Sequence, residues 1–489
     1  MSLNSPENQS SIRKTQRPRL SQRRRDGCTE CRRKKVKCDL RKPVCSRCKR
    51  YPRGCIYNLS VVQQSPLHLN YQESSIERQN QQLALYSPPQ RISALRSCLY
   101  QPTLNLSPFL ASEESRFFMH VFSTETAPRL FPAAPDFFLQ RMISASIQTP
   151  HLLYALLAAA CSHHGRLIRD STPNSTLACL KFTNKAISSL RLLISNSQYT
   201  LDPQTVTAAM ALCTNDVCNG NMDIWRTHLC GTMQLLNCLL RKEKASDAEE
   251  LYVNCLAKWF MTMDVLAGLS GIRPGCVHDA GSMPLIKIST LNSTNVDDIC
   301  GYSLDLMPTL ARISKLALRH HTYMHTGDQV PQDIVRETEI LESTLYSIVG
   351  RTVSNATRDS HGELAEELQQ THHAFVYSAL LHLHRRIQRL PKYDPKVITD
   401  IKNILDAVLH IRPLSAANIL ILWPIFSAGC ETDSVSQRNL IQDRMNHMQS
   451  FGMGNFTRAK QLLKSFWASN TPLPWDIYFA NLGKELVLF

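Results

Sequence analysis

The sequence predicts two unequal parts: a small N-terminal cysteine module made of two short helix-loop units, and a large all-α domain behind it. Three observations predict this. Six of the seventeen cysteines fall at even spacing within residues 28–55. Positive charge is confined to the same end, where residues 1–60 hold 18 Lys and Arg against 4 Asp and Glu while the remainder is nearly balanced at 37 to 36. From about residue 112 onward, apolar residues recur at helical period and alternating strand patterns are scarce.

Length and composition set the bounds. A chain of 489 residues, 43% hydrophobic and 19% charged, can bury a sizeable core and is not a disordered polymer. Residues 1–25, "MSLNSPENQSSIRKTQRPRLSQRRR", form a basic arm expected to be disordered. It lacks the apolar stretch of a secretory signal and suits phosphate contact or nuclear import. The longest apolar run, "LLYALLAAAC" at 152–161, rises about 15 Å as a helix, half a bilayer core, so no membrane partner is expected. Without a secretion signal the compartment is expected to be reducing. The eleven cysteines at 98, 161, 179, 213, 218, 230, 238, 255, 276, 300 and 430 are then expected to act as small apolar filler.

The cluster comprises Cys28, Cys31, Cys38, Cys45, Cys48 and Cys55, read as C-x2-C-x6-C, six further residues, then C-x2-C-x6-C again. A C-x2-C pair sets two sulfurs on one side of a tight turn, and six more residues allow a short helix and a return to the same ion. Two tetrahedral zinc ions need eight ligand positions. Six thiolates therefore suffice when two of them bridge, and no histidine precedes His68. A disulfide framework needs an oxidising compartment, and an iron–sulfur cluster normally takes four cysteines. The cofactor is therefore read as Zn²⁺, two ions. Between the cysteines, "CRRKKVKC" is expected to be a short helix carrying Arg32, Arg33, Lys34, Lys35 and Lys37. Such a helix fits the major groove of double-stranded DNA, where Lys and Arg donate to guanine O6 and N7.

Residues 28–55 resemble the binuclear zinc-cluster domain of fungal transcription factors in all six cysteines, in "CRRKKVKC" and in Pro43 of the inter-unit linker. The resemblance implies that Cys28 and Cys45 bridge the metals, with Cys31 and Cys38 on one zinc and Cys48 and Cys55 on the other. It implies that Lys34 and Lys35 read a CGG triplet, Lys35 above all. Arg32, Lys37, Arg47 and Lys49 are assigned to phosphates, which set register without reading sequence. The module is placed at 26–58.

Residues 59–111 are rich in Gln, Ser and Pro and are read as a flexible linker. Only Ile76, Leu83 and Leu85 offer a coiled-coil seam there, less than two heptads, so a homodimer is left open. The all-α domain is placed at 112–489. Leu177, Leu180, Ile187, Leu190 and Ile194 fall on one helical stripe. "PQTVTAAMALCTNDVCNG" begins with Pro and ends with Gly, as a helix should. Further helices are expected near 222–242, 248–270, 303–326, 332–353, 362–390, 396–411 and 455–469. "FFMHVFSTETAPRLFP" (117–132), "HLLYALLAAACSHH" (151–164), "WRTHLCGTMQLL" (225–236) and "WPIFSAGCE" (423–431) resemble the fungal-specific transcription factor regulatory domain of the second type. That resemblance implies a regulatory role and, in some relatives, a small-molecule effector.

No enzyme is expected, since the chain has no Gly-rich phosphate loop, no G-x-S-x-G elbow and no H-E-x-x-H. His321 and His325 are spaced i, i+4 without an evident third ligand. The closing segment 472–489 is read as amphipathic and packed on the domain. The sequence thus points to a nuclear, zinc-dependent, sequence-specific DNA-binding regulator of RNA polymerase II transcription. Its expected partners are DNA and transcriptional co-regulators. A sensor of an apolar metabolite and a corepressor-recruiting scaffold are the alternatives.

Overall fold

The computed structural model describes residues 31, 34, 36, 38, 39, 45–49 and 107–489, apart from 171, 197–200, 221–223, 243–245, 272, 274, 277–293, 327–329 and 485. The basic arm and most of the expected linker, including Ile76, Leu83 and Leu85, lie outside the described residues. The chain separates into two compact units, Met1–Ser87 and Pro88–Phe489.

The second unit is helical. Its elements are α1 Glu113–Val121, α2 Asp136–Gln148, α3 Pro150–Leu167, α4 Pro173–Ile194, α5 Pro203–Cys218, α6 Trp225–Arg241, α7 Asp247–Leu269 and α8 Leu306–Thr326. They continue as α9 Gln332–Ile348, α10 Asn355–His361, α11 Glu363–His382, α12 Pro395–His410, α13 Leu422–Glu431, α14 Val435–Gln449, α15 Gly454–Ser469 and α16 Trp475–Asn481. Among the described residues no strand forms, only isolated bridges of Val296 to Ser303 and to Val353. No described helix is long and apolar enough to cross a membrane.

Local chemistry sets the helix starts. Ser112, Thr172, Asp202, Ser246, Ser354, Asp394 and Ser434 each accept a backbone N–H of the first turn they precede. Pro173, Pro203 and Pro395 follow three of these caps, where a missing N–H costs nothing. Helix α3 is buried almost all round, from Leu152 to Cys161, and packs on α1, α2, α4 and α5. The expected buried helix at 152–161 is its centre. A second layer forms where α7 meets α6 and α8, and a third where α11 meets α12 and α13. One continuous apolar core joins them, with edge-on ring contacts such as Phe131–Trp259 at 4.8 Å. The closing segment packs as expected, burying Trp475, Phe479 and Leu486–Leu488.

Two features of the packing were not evident in the sequence. Helix α4 forms, but Leu177, Leu180, Ile187 and Ile194 of its stripe are exposed, Leu177 at 65%. The inward face carries the buried Phe182 and Ala186 instead, and Phe182 stacks on Tyr154 of α3 at 6.4 Å and meets Phe118 of α1 at 5.9 Å. The second corrects an expectation: Cys230 of α6 and Cys276, read as apolar filler, form a disulfide, with Cα atoms 5.3 Å apart. They stand 46 residues apart in sequence, so only the tertiary packing that sets Cys276 beside α6 brings them together.

Helix α11 runs into a π turn, Leu383–Ile387. The wider turn sends three successive side chains to four different elements. His384 lies 2.6 Å from Asp400 and 3.2 Å from Glu342, Arg385 lies 2.6 Å from Glu431, and Arg386 lies 2.7 Å from Asp476. Burial works to lower the His384 pKa, but the two carboxylates outweigh it and hold His384 above its usual range. The His325 side chain lies outside the described residues, so the His321–His325 pair is not seen.

Candidate metal centre

In the first unit, the cysteine spacing becomes a tight pair of turns. The Cys48 N–H donates to the Cys45 carbonyl at 2.9 Å, closing the turn that a C-x2-C pair requires. The Val36 N–H donates to the Cys31 carbonyl at 3.0 Å, and the chain has left the helix by Lys34 rather than running helically to Cys38. The expected helix across "CRRKKVKC" is therefore shortened. Lys34 already stands in a turn, because the five-residue bond turns the chain back toward the cluster. Asp39, which the spacing of cysteines does not single out, accepts the Ser46 N–H at 3.2 Å and ties the two units together.

The sulfurs converge. Cys31 Sγ and Cys45 Sγ stand 3.7 Å apart, and one sulfur each from Cys31, Cys38 and Cys45 lies within 4.8 Å of the other two. Four sulfurs at about 2.3 Å from one zinc have tetrahedral edges of about 3.8 Å, so the Cys31–Cys45 separation fits two ligands of one ion. Cys31, Cys45 and Cys48 are buried with Cys38 packed on them, and these sulfurs form the described core of the module. Burial works to push the Cys45 thiol up. Hydrogen bonds from the Cys48 N–H and from the thiols of Cys48, Cys31 and Cys38 outweigh it and bring the thiol down to about 6. A sulfur that loses its proton near neutral pH is the form a metal takes.

Cys31, Cys38, Cys45 and Cys48 are thus brought together, and Cys28 and Cys55 lie outside the described residues. Of the expected DNA contacts, Lys34, Arg47 and Lys49 are exposed. Arg32, Arg33, Lys35 and Lys37 lie outside the described residues.

Two family profiles match the chain. Residues 26–63 match the fungal Zn(2)-Cys(6) binuclear cluster domain, and residues 116–489 match the fungal specific transcription factor domain. No curated protein matches. The first family carries two zinc ions and binds DNA, and the sulfur geometry above fits that metal. The chain belongs to the fungal specific transcription factor domain family and joins that domain to a Zn(2)-Cys(6) binuclear cluster as a DNA-binding regulator of transcription.

Proposed function

We propose that the chain is a nuclear, zinc-dependent regulator of RNA polymerase II transcription that recognises CGG-type elements in the major groove. The observation that supports it most is the sulfur triangle of Cys31, Cys38 and Cys45 with Lys34, Arg47 and Lys49 exposed beside it. Six thiolates on two Zn²⁺ leave a net charge of −2 on the cluster, which the surrounding cations offset. Cys28 and Cys45 bridge the two ions. Lys35 and Lys34 donate to guanine edges, Arg32, Lys37, Arg47 and Lys49 hold phosphates, and Arg33 adds to the basic DNA-binding face. Co-regulators act on the helical domain. Selection of sites from random duplex DNA by the full-length protein tests this reading: enrichment of CGG is expected, and unenriched pools would overturn it.

A second reading, effector sensing, has its own support. A mainly apolar cavity of about 90 Å³ lies among α5, α7, α11 and α15, lined by Val217, Trp259, Met263, Phe375, Phe456 and Phe489. Burial pushes the Cys218 and Cys300 thiols in its wall up, so both stay neutral, and the site suits an uncharged apolar group of a few heavy atoms.

A further inference from the structure

We propose that a second, polar cleft in the helical domain binds a small aromatic carboxylate. The cleft measures about 400 Å³, within the range of small-molecule sites, and lies between the π turn, the end of α13 and the Asn470–Pro474 loop. Its chemistry is divided between charge and rings.

Three cations, Arg385, Lys392 and Arg438, face two carboxylates, Glu431 and Asp433. Arg385 and Glu431 form the floor, with side chains 16% and 4% exposed. At the rim, Asp433 is shared by Lys392 at 3.2 Å and Arg438 at 2.7 Å. Its side chain is 66% exposed, so water competes for it and the contact is weak. Two cations already arranged around one loosely held carboxylate can exchange it for a ligand's carboxylate without rearranging. The excess of cations favours an anion.

The rings define the rest of the ligand. Trp467 is fixed by its Nε1–H, which donates to the Gly429 carbonyl at 2.8 Å, and Arg438 stands 5.5 Å from its ring centroid. Trp475 and Phe466, both buried, complete an aromatic wall beside the cations. A planar ring lying on this wall would carry its carboxylate to Arg438 and Lys392. Backbone strain marks the same place. Among described non-glycine residues only Arg169, Arg389 and Asn470 have positive φ. Arg389, at 56°, directly precedes the Leu390 carbonyl that accepts from Arg385, whereas Asn470, at 46°, lines the cleft as the ordinary left-handed cap of α15. Such conformations persist where surrounding contacts impose them, often at ligand clamps.

Isothermal titration of the full-length protein with indole-3-acetate tests the proposal, with indole and acetate as the chargeless and ringless arms. Saturable binding of indole-3-acetate is expected, with indole and acetate each at least tenfold weaker. Arg438→Gln should weaken binding at least tenfold. Lys392→Gln, at a more exposed site that leaves the fold intact, should weaken it severalfold. Equal affinity for indole and indole-3-acetate, unchanged affinity in Lys392→Gln, or no saturation up to about 10 mM would each overturn it.

Discussion

Cys31 Sγ and Cys45 Sγ stand 3.7 Å apart across fourteen residues, the separation of two ligands on one tetrahedral ion. Cys45 belongs to the second C-x2-C unit yet meets the sulfurs of the first, as a shared ligand must. Cys45→Ser should therefore lower the zinc content of the purified protein from two equivalents to one or fewer, measured by plasma mass spectrometry. Cys430→Ser, at a buried thiol in α13, should leave it at two. Structural zinc contributes on the order of 10 kcal/mol to folding such a module, so chelation should abolish DNA binding and zinc should restore it.

Substitution of the basic residues should separate readers from anchors. Lys35→Ala should cost about 1–3 kcal/mol on a CGG site and relax specificity there. Lys49→Ala should weaken all duplexes alike and lower the salt slope by about one. Binding titrations at several salt concentrations distinguish the two outcomes.

Two buried histidines predict an acid limb of instability. The Ser303 N–H donates to His372 Nδ1 at 3.3 Å, and His372 Nε2–H donates to the Ile348 carbonyl at 3.0 Å, so neutral imidazole satisfies both partners. Burial lowers His372 to about 4 and His163 to about 3. A folded pKa below the unfolded 6.5 means the unfolded chain takes the proton first. Stability should fall as pH drops from about 6.5 toward 4, by about 1.4 kcal/mol per pH unit for each histidine. Urea denaturation across pH 4–7 measures this, and His372→Gln should flatten the limb.

His384 acts in the opposite direction. Its pKa is raised by Asp400 and Glu342, so its stabilisation is complete below 6.5 and is lost as pH rises through the folded value. His384→Ala, which leaves Asp400 buried without its partner, should cost about 3–5 kcal/mol at pH 6 and less at pH 9 in the same urea assay.

The disulfide predicts a redox-dependent stability. Peptide mapping without reductant should recover Cys230 linked to Cys276. Reduction should lower unfolding free energy by about 2–4 kcal/mol, and Cys230→Ser should remove that difference.

Helix α4 offers a contrast within one element. Leu180→Glu, on the exposed stripe, should change stability by no more than about 0.5 kcal/mol. Phe182→Ala, two residues away and 1% exposed, should cost about 3–5 kcal/mol in chemical denaturation.

Much of the helical domain was legible in sequence because its signals are local. Caps such as Asp202 and Ser246, with prolines behind several of them, announce helix starts through bonds to the next turn. Helix α14, Val435–Gln449, was missed because its residues are polar on most faces and its packing rests on a few positions such as Ile441 and Met445. The stripe on α4 was read as helical and is helical, but periodicity gives a face and not the direction in which it points, and most of the stripe is exposed. In the metal module, spacing alone named all four of the described cysteines. It gave no sign that the helix would end before Lys34 or that Asp39 would hold Ser46.

What the sequence determined by itself was chemistry of short range: thiol pairs spaced for one ion, a confined run of cations, and helix periods with their caps. Each depends on residues a turn or two apart, whose geometry the backbone fixes. Only the tertiary structure decided which cysteines met across 46 residues, which face of α4 was left to solvent, and how a π turn set Arg385 against Glu431 beneath two tryptophans. Those are contacts between distant segments. They follow from how whole helices pack, which is set by the shape of the shared core rather than by any local run of residues.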